Sequence, residues 1–129
     1  MEKKAKIKVK TDKERLRKLF LQIFLIYLIC LFFDSIITYS FIALDNYNTG
    51  RELNDIARAY MEKYGVGLGI LLYDLNRVIV CGVITIIGYN LFALGFVWSF
   101  VLIYMALLHI LGGLSWFGIR WIDLFLFYY

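Results

Sequence analysis

The chain has 129 residues, of which 62% are hydrophobic and 19% aromatic, with a net charge of +4 and a mean hydropathy of +0.74. This apolar content exceeds that of soluble globular domains, and the length leaves room for three membrane spans but for no additional soluble catalytic domain. The positive charge does not indicate a nucleic-acid-binding protein, because residues 1–18 carry +6 and the rest of the chain −2. Cys30 and Cys81 both lie in apolar segments and predict neither a disulfide framework nor a metal site.

Residues 1–18 are interpreted as a basic cytoplasmic tail followed by the start of the first helix. Residues 1–10 are expected to be disordered, and the capping box Thr11–Glu14 predicts a helix start at Thr11. The excess of positive charge predicts a cytoplasmic N-terminus and contact with anionic lipid head groups. A retained span is favoured over a cleaved signal peptide, because the apolar character continues past Asp34 to Leu44. The predicted head-group residues are Lys3, Lys4, Lys6, Lys8, Lys10, Arg15, Arg17 and Lys18.

Residues 19–129 are expected to form a single all-α membrane domain. Hydropathy and length predict three transmembrane helices, at about 19–44, 66–88 and 91–111. Apolar residues at helical spacing predict an amphipathic helix at about 51–64, in the outer interface. The glycines at 65–69 would end that helix and allow close helix approach. Gly88–Asn90 would form a tight hairpin between the second and third spans, and Gly112–Gly113 would end the third span. The aromatic segment 115–129 predicts an interfacial C-terminal segment, although partial insertion remains open.

Charged residues inside the first two spans indicate a buried polar cluster. Asp34, Asp74 and Arg77 are each about 14–18 Å from the outer end of their helices at a rise of 1.5 Å per residue. Antiparallel packing would bring them to one level, where Arg77 could reach both carboxylates and Thr38 could hydrogen-bond to Asp34. A charge at this depth is costly unless paired, so the cluster either fixes helix packing or binds or relays a polar group. Two acids and one base leave three options: a charge of −1, a protonated carboxyl, or a bound cation.

A second set of polar residues is predicted at the outer surface. It comprises Glu52, Asn54, Asp55 and His109. His109, near the outer end of the third span, is expected to be a hydrogen-bonded interface residue rather than a ligand. Glu52, Asp55 and His109 could in principle meet as ligands of a hard metal ion, but nothing in the sequence fixes that geometry, so no metal or other cofactor is predicted.

Enzymatic activity is not predicted. Two membrane carboxylates at one depth could share a proton, as in intramembrane aspartyl proteases. The Gly-x-Gly-Asp motif of those enzymes is absent, because Asp34 follows Phe32-Phe33, and Arg77 would favour ionisation of both acids. No Ser/His/Asp set, zinc signature or nucleotide-binding motif occurs in the sequence.

Two short motifs resemble a family of small multi-pass prokaryotic membrane proteins, domain-of-unknown-function family 5658. The motifs are Asp34-x-x-x-Thr38 in the first span and Glu52-Leu53-Asn54 after it, and a basic residue of the second span would correspond to Arg77. The family pattern continues with proline, whereas this chain has Asp55 there and contains no proline. The resemblance, which covers roughly 32–77, implies a membrane fold of three or four helices and brings no activity.

Two hypotheses for function follow. The first is a small accessory or assembly subunit of a larger membrane complex, in which the polar cluster sets helix register. The alternative is an oligomeric transporter of an ion, proton or small solute that uses Asp34, Asp74 and Arg77, with oligomerisation expected because a three-helix monomer should have little interior. Both place the chain in the plasma membrane, with the C-terminus outside. The expected partners are lipids, other membrane subunits or further copies of the chain, and no nucleic acid.

Overall fold

The protein is an all-α membrane protein, seen here in a computed structural model that describes residues 2–118, with the backbone alone for residues 2–11. Four α-helices are present in that part of the chain: α1 (Glu2–Leu44), α2 (Asp55–Tyr64), α3 (Val66–Asn90) and α4 (Phe92–Ser115). A short 3₁₀ turn, Thr49–Arg51, precedes α2. Three helical stretches are long and apolar enough to cross a membrane: Asp12–Leu44, Val66–Asn90 and Phe92–Ser115. The predicted three-span fold is therefore confirmed.

The three long helices form a bundle with α1 and α4 parallel and α3 antiparallel to both. Side-chain contacts show this order, because Arg17 meets Tyr89 while Ser35 meets Asp74. Only Leu91 separates α3 from α4, so the two helices form the tight hairpin predicted there. The main core lies in mid-bundle and consists of Tyr27, Leu31, Cys81, Leu102 and Ala106.

Helix α2 packs against α3 at the end of the bundle where α1 ends, hereafter the α2 end. Ala57 and Met61 are buried there with Ile70 and Ile42. Gly69 permits this contact, because a Cβ atom at Gly69 would lie 2.5 Å from the Met61 Cα atom. The prediction that these glycines allow close helix approach is thus confirmed at Gly69.

Helix boundaries differ from the predictions at three places. Helix α1 begins at Glu2 rather than Thr11, because the lysine-rich tail contains good helix formers and neither glycine nor proline, so the helix propagates through Thr11. Helix α2 begins at Asp55 rather than near residue 51. Its N-cap is Asn54, whose side chain accepts hydrogen bonds from the Ile56 and Ala57 amides, while Thr49–Arg51 forms only the 3₁₀ turn.

The third difference is that α4 continues through Gly112 and Gly113 to Ser115, whereas the prediction ended it at 111. These glycines are contact positions rather than a helix stop. A Cβ atom at Gly112 would lie 3.2 Å from Asp34 Oδ1, so glycine lets the carboxylate lie against the α4 backbone. The predicted interfacial segment 115–129 falls outside the described residues from 119 onward.

Candidate functional site: a polar cavity at the α2 end

A cavity of about 490 Å³ opens at the α2 end, between α1, α3, α4 and the segment that leads into α2. This volume falls in the range of small-molecule sites, about 300–1,000 Å³. The expectation that a three-helix monomer has little interior is therefore wrong, because α2 and its connection wall off space between the three long helices. Among the described residues, six acidic, basic or histidine side chains line the cavity: Asp34, Arg51, Glu52, Asp74, Arg77 and His109.

His109 connects Arg77 to Asp34 across the bundle. Arg77 Nη2 lies 2.5 Å from His109 Nε2, and His109 Nδ1 lies 2.7 Å from Asp34 Oδ2. An arginine side chain only donates, so His109 Nε2 must accept, and the ring proton on Nδ1 is donated to the Asp34 carboxylate. The hydrogen-bond pattern thus requires a neutral His109, held as one tautomer between a cation and an anion.

This network corrects two predictions. His109 was expected at the outer interface, but it is 5% exposed and lies inside the bundle, since α4 continues beyond it to Ser115. Arg77 was expected to reach both carboxylates, yet no described carboxylate oxygen comes within 4.0 Å of its guanidinium. The imidazole occupies the position between Arg77 and Asp34 that a direct ion pair would need.

Tyr73 and Asn54 support the Arg77 side chain from the α2 side. The Arg77 guanidinium carbon lies 5.1 Å from the centroid of the Tyr73 ring, a cation–π contact. The Tyr73 hydroxyl accepts a hydrogen bond of 2.8 Å from Asn54 Nδ2, while Asn54 Oδ1 caps α2. Asn54, predicted as an outer-surface polar residue, therefore connects the start of α2 to the cavity wall.

Asp74 has a separate environment. It is 7% exposed, and its Oδ2 accepts a hydrogen bond of 2.5 Å from the Ser35 hydroxyl. Because Ser35 directly follows Asp34 on α1, the prediction that Asp34 and Asp74 lie at one level is confirmed. Ser35 is the only described side chain that hydrogen-bonds to Asp74, and a carboxylate accepts about four hydrogen bonds, so Asp74 has capacity for further donors.

Thr38 contacts the C-terminal end of α4 rather than Asp34. Its hydroxyl accepts a hydrogen bond of 3.0 Å from the Trp116 indole, and Trp116 also stacks on Phe41 at 5.8 Å between ring centroids. Trp116 thereby covers the α1 side of the cavity mouth, where the Arg51 guanidinium lies 5.7 Å from its ring. The predicted hydrogen bond between Thr38 and Asp34 is not present, and the Thr38 hydroxyl instead accepts from the Trp116 indole.

Glu52 lies at the cavity rim, outside the spanning helices. Burial raises the pKa of its carboxyl above the usual value, and the repulsion from Asp34 acts in the same direction. The Asn54 backbone amide, which donates to Glu52 Oε1 at 2.8 Å, and the Arg58 guanidinium lower the pKa and oppose the shift. Asp55, predicted like Glu52 as an outer-surface polar residue, forms an ion pair with Arg58 outside the cavity.

With all its carboxylates ionised and His109 neutral, the cavity holds three negative and two positive groups, hence a net charge of −1. Asp34 and Arg77 balance one another through His109, so the unbalanced charge falls on Asp74 and Glu52. No group of three His, Cys, Asp or Glu within the described residues is placed to hold a metal ion. The arrangement provides acceptors for a cationic group within a pocket that mixes polar and apolar walls.

Three of the predicted head-group residues have described side chains, Arg15, Arg17 and Lys18, and these lie at the opposite end of the bundle. Arg17 donates to the Tyr89 carbonyl at 3.3 Å, and its guanidinium carbon lies 4.7 Å from the Tyr89 ring centroid. Arg15 and Lys18 are exposed. The side chains of Lys3, Lys4, Lys6, Lys8 and Lys10 fall outside the described part.

Several residues that line the cavity were not predicted as part of the polar cluster, among them Ser35, Tyr73, Trp116 and His109. For His109 a signal existed, since it is the one histidine of the sequence and lies in the 42 residues from Val78 to Ile119, which contain no Asp, Glu, Lys or Arg. Comparison with protein-family models, curated proteins and solved structures finds no match for this chain.

Proposed function

We propose that this protein binds a small solute that carries an ammonium group, in the polar cavity at the α2 end. The observation that carries the proposal is the cavity itself, with about 490 Å³ of space and an unbalanced carboxylate, Asp74, in its wall. An ammonium group donates three hydrogen bonds, and its charge would offset the net −1 of the lining. Asp74 would be the principal acceptor, and Asp34, which receives one hydrogen bond from His109, would be a second.

The hydrogen-bonded network from Arg77 through His109 to Asp34 supports this role because it holds these cavity-lining side chains in place before a ligand binds. Both charges and the imidazole are held by hydrogen bonds between different helices, so little side-chain ordering remains to oppose binding. The same network also matches the alternative predicted from the sequence, transport of an ion, proton or small solute. Binding needs only one chain, whereas transport additionally requires a route to the other end of the bundle, for which a second copy is the predicted source.

The test is a thermal-shift titration of the purified protein with three probes of equal chain length: butylamine, 4-aminobutanoate and butyrate. A ligand that binds only the folded state raises the melting temperature, and the rise grows with the logarithm of the ligand concentration relative to its Kd. Butylamine should raise it, butyrate should not, and Asp74→Asn should abolish the butylamine shift. Glu62→Gln is the control, since it removes one negative charge from α2 at a residue that does not line the cavity. Equal shifts with butylamine and butyrate, or a retained shift in Asp74→Asn, would overturn the proposal.

Native mass spectrometry on protein extracted gently from its membrane separates this proposal from the predicted accessory subunit. A stoichiometric partner protein would favour the accessory role, and a homo-oligomer would favour transport. In the second case, a liposome flux assay follows, in which Asp34→Asn and Arg77→Gln should abolish flux without changing assembly. Loss of assembly in Asp34→Asn would instead assign the network a structural role.

The proposal includes an orientation and a location. The basic N-terminal end of α1 supports a cytoplasmic N-terminus in a plasma membrane, which would open the cavity to the outside. A reporter fused after Tyr129 should then read as external. Membership of domain-of-unknown-function family 5658 also stays a proposal, supported by Asn54 and Arg77 lying on the same cavity wall.

A further inference from the structure

The polar side chains of the cavity wall are connected in a series that starts and ends on α3. Asp74 accepts a hydrogen bond from Ser35, which directly follows Asp34 on α1. Asp34 accepts from His109 on α4, and His109 accepts from Arg77 on α3. The two ends of the series, Asp74 and Arg77, therefore belong to the same helix.

These two ends lie side by side without forming an ion pair. Asp74 and Arg77 are three residues apart on α3, which places their Cβ atoms about 5–6 Å apart on one face of the helix. Both line the polar cavity. No nitrogen of the Arg77 guanidinium lies within 4.0 Å of a described carboxylate oxygen. The cavity wall thus presents a cation and an anion one helical turn apart.

Each of the two side chains keeps hydrogen-bonding capacity for a ligand. The Arg77 guanidinium has five N–H donors, and its one described hydrogen bond goes to His109. Asp74 Oδ1 has no described donor, since Ser35 donates to Oδ2. A planar guanidinium can hold a carboxylate through two parallel hydrogen bonds, and an ammonium group is the matching donor for Asp74.

We infer that the ammonium-bearing solute is an α-amino acid, whose carboxylate binds Arg77 while its ammonium group binds Asp74. The inference rests on the proposed function and names the substrate class for the same cavity. In an α-amino acid both charged groups are attached to one carbon, which matches opposite charges one helical turn apart. Such a zwitterion gives Asp74 and Arg77 each a directly bound partner of opposite charge.

The rest of the cavity wall favours an apolar side chain on this amino acid. Ala57, Met61 and Ile70 line the cavity from α2 and α3, and Met105 and Leu108 line it from α4. The unbranched, polarisable methionine side chain adapts its shape to apolar groups of different form. Leucine is therefore a suitable probe, because it joins the two charged groups to a branched apolar side chain.

The test is isothermal titration calorimetry of the full-length protein in nanodiscs with L-leucine and two relatives that each lack one charged group. 3-Methylbutylamine is leucine without its carboxylate, and 4-methylpentanoate is leucine without its ammonium group. L-Leucine should bind at least about tenfold more tightly than 3-methylbutylamine, which corresponds to about 1.4 kcal/mol of binding free energy. 4-Methylpentanoate should not bind.

A second pair of ligands tests the spacing of the two charges. L-2-Aminobutanoate and 4-aminobutanoate are isomers, but in the second compound the charged groups stand at opposite ends of the chain. L-2-Aminobutanoate should bind more tightly, because its ammonium and carboxylate are adjacent as Asp74 and Arg77 are.

The variant Arg77→Gln tests the partner of the carboxylate. Glutamine removes the positive charge but keeps an amide donor for His109. In this variant the Kd of L-leucine should rise to that of 3-methylbutylamine. The readout is the ratio of these two Kd values, because a general disturbance of the cavity weakens both ligands alike. Arg15→Gln is the matched control and should keep the wild-type ratio, since Arg15 is exposed and does not line the cavity.

Equal Kd values for L-leucine and 3-methylbutylamine in the wild type would overturn the amino-acid inference and leave the proposed function in place. An unchanged ratio in Arg77→Gln, or equal binding of the two aminobutanoates, would overturn it as well. If Arg77→Gln does not fold, the ligand series on the wild type decides. If no ammonium compound binds, or if 4-methylpentanoate binds as tightly as L-leucine, the proposed function fails and the amino-acid inference fails with it.

Discussion

Replacing His109 by leucine tests whether the imidazole is the connection between Arg77 and Asp34. Leucine fills much of the space at this 5% exposed position but offers neither donor nor acceptor. Arg77 then loses its acceptor and Asp34 its donor, while both charges remain inside the bundle. The variant should therefore destabilise the fold through two unpaired charges rather than through a cavity.

The magnitude follows from the two hydrogen bonds. A hydrogen bond to a charged group contributes about 1.5–3 kcal/mol, so two would contribute about 3–6 kcal/mol. Two observations reduce this sum. The Asp34 side chain is 22% exposed to the cavity, so water replaces part of its lost partner. Interhelical hydrogen bonds in a membrane protein also average only about 0.6 kcal/mol. We expect His109→Leu to lower the free energy of unfolding by about 2–4 kcal/mol. This loss is closer to the cost of breaking a buried charge pair than to that of an average interhelical hydrogen bond.

The assay is the free energy of unfolding in bicelles, measured by steric trapping for the wild type, His109→Leu and His109→Gln. Glutamine carries one acceptor oxygen and a donor amide, so it can accept from Arg77 and donate to Asp34 as the neutral imidazole does. His109→Gln should therefore recover at least half of the loss seen with leucine. Equal losses for the two variants, or no loss for leucine, would refute the assignment of His109 as a donor–acceptor bridge.

Two further predictions concern packing and pH. Gly69→Ala places a Cβ atom 2.5 Å from the Met61 Cα and should lower the free energy of unfolding by about 1–3 kcal/mol. Gly67→Ala, whose Cβ would meet only the Tyr39 ring at 3.6 Å, should raise it by about 0.5–1 kcal/mol. An unchanged or raised free energy of unfolding in Gly69→Ala would contradict the α2–α3 contact. Burial raises the pKa of Glu52, so its carboxyl keeps the proton to higher pH in the folded state than in the unfolded state. The protonated carboxyl therefore contributes to the free energy of unfolding below pH 4.5, and this contribution is lost as the pH rises through the raised pKa. In a pH series of unfolding free energies, Glu52→Gln should remove this decline, and an unchanged pH profile in Glu52→Gln would contradict the burial of the carboxyl.

The parts of the fold that could be predicted depend on local properties of the chain. Three apolar stretches of spanning length predicted the three long helices, and the depths of Asp34 and Asp74 predicted that they would lie at one level. Both conclusions need only the helical rise and the cost of exposing polar groups to lipid. The predicted start of α1 was wrong for an equally local reason. The capping box at Thr11 favours a helix start there, but a continuous run of helix formers precedes it.

The partners within the site could not be predicted in the same way. Whether Arg77 meets a carboxylate or an imidazole depends on the rotation and translation of α4 relative to α1, which the glycine contact at Gly112 helps to set. The same packing brings Trp116 onto Thr38 and leaves Asp74 with Ser35. Hydropathy carries no information on how one helix is rotated or translated against another. A rotation changes the hydrogen-bond partners of the side chains without changing the burial of the apolar stretch as a whole.

The sequence by itself determined that this is a three-span membrane protein with charges held at one depth, because hydrophobic length and the cost of buried charge act residue by residue along the chain. Only the tertiary structure decided that His109 joins Arg77 to Asp34, and that α2 walls off a polar cavity between the long helices. These features depend on how four helices are placed against one another, which is fixed by close packing between residues far apart in the sequence.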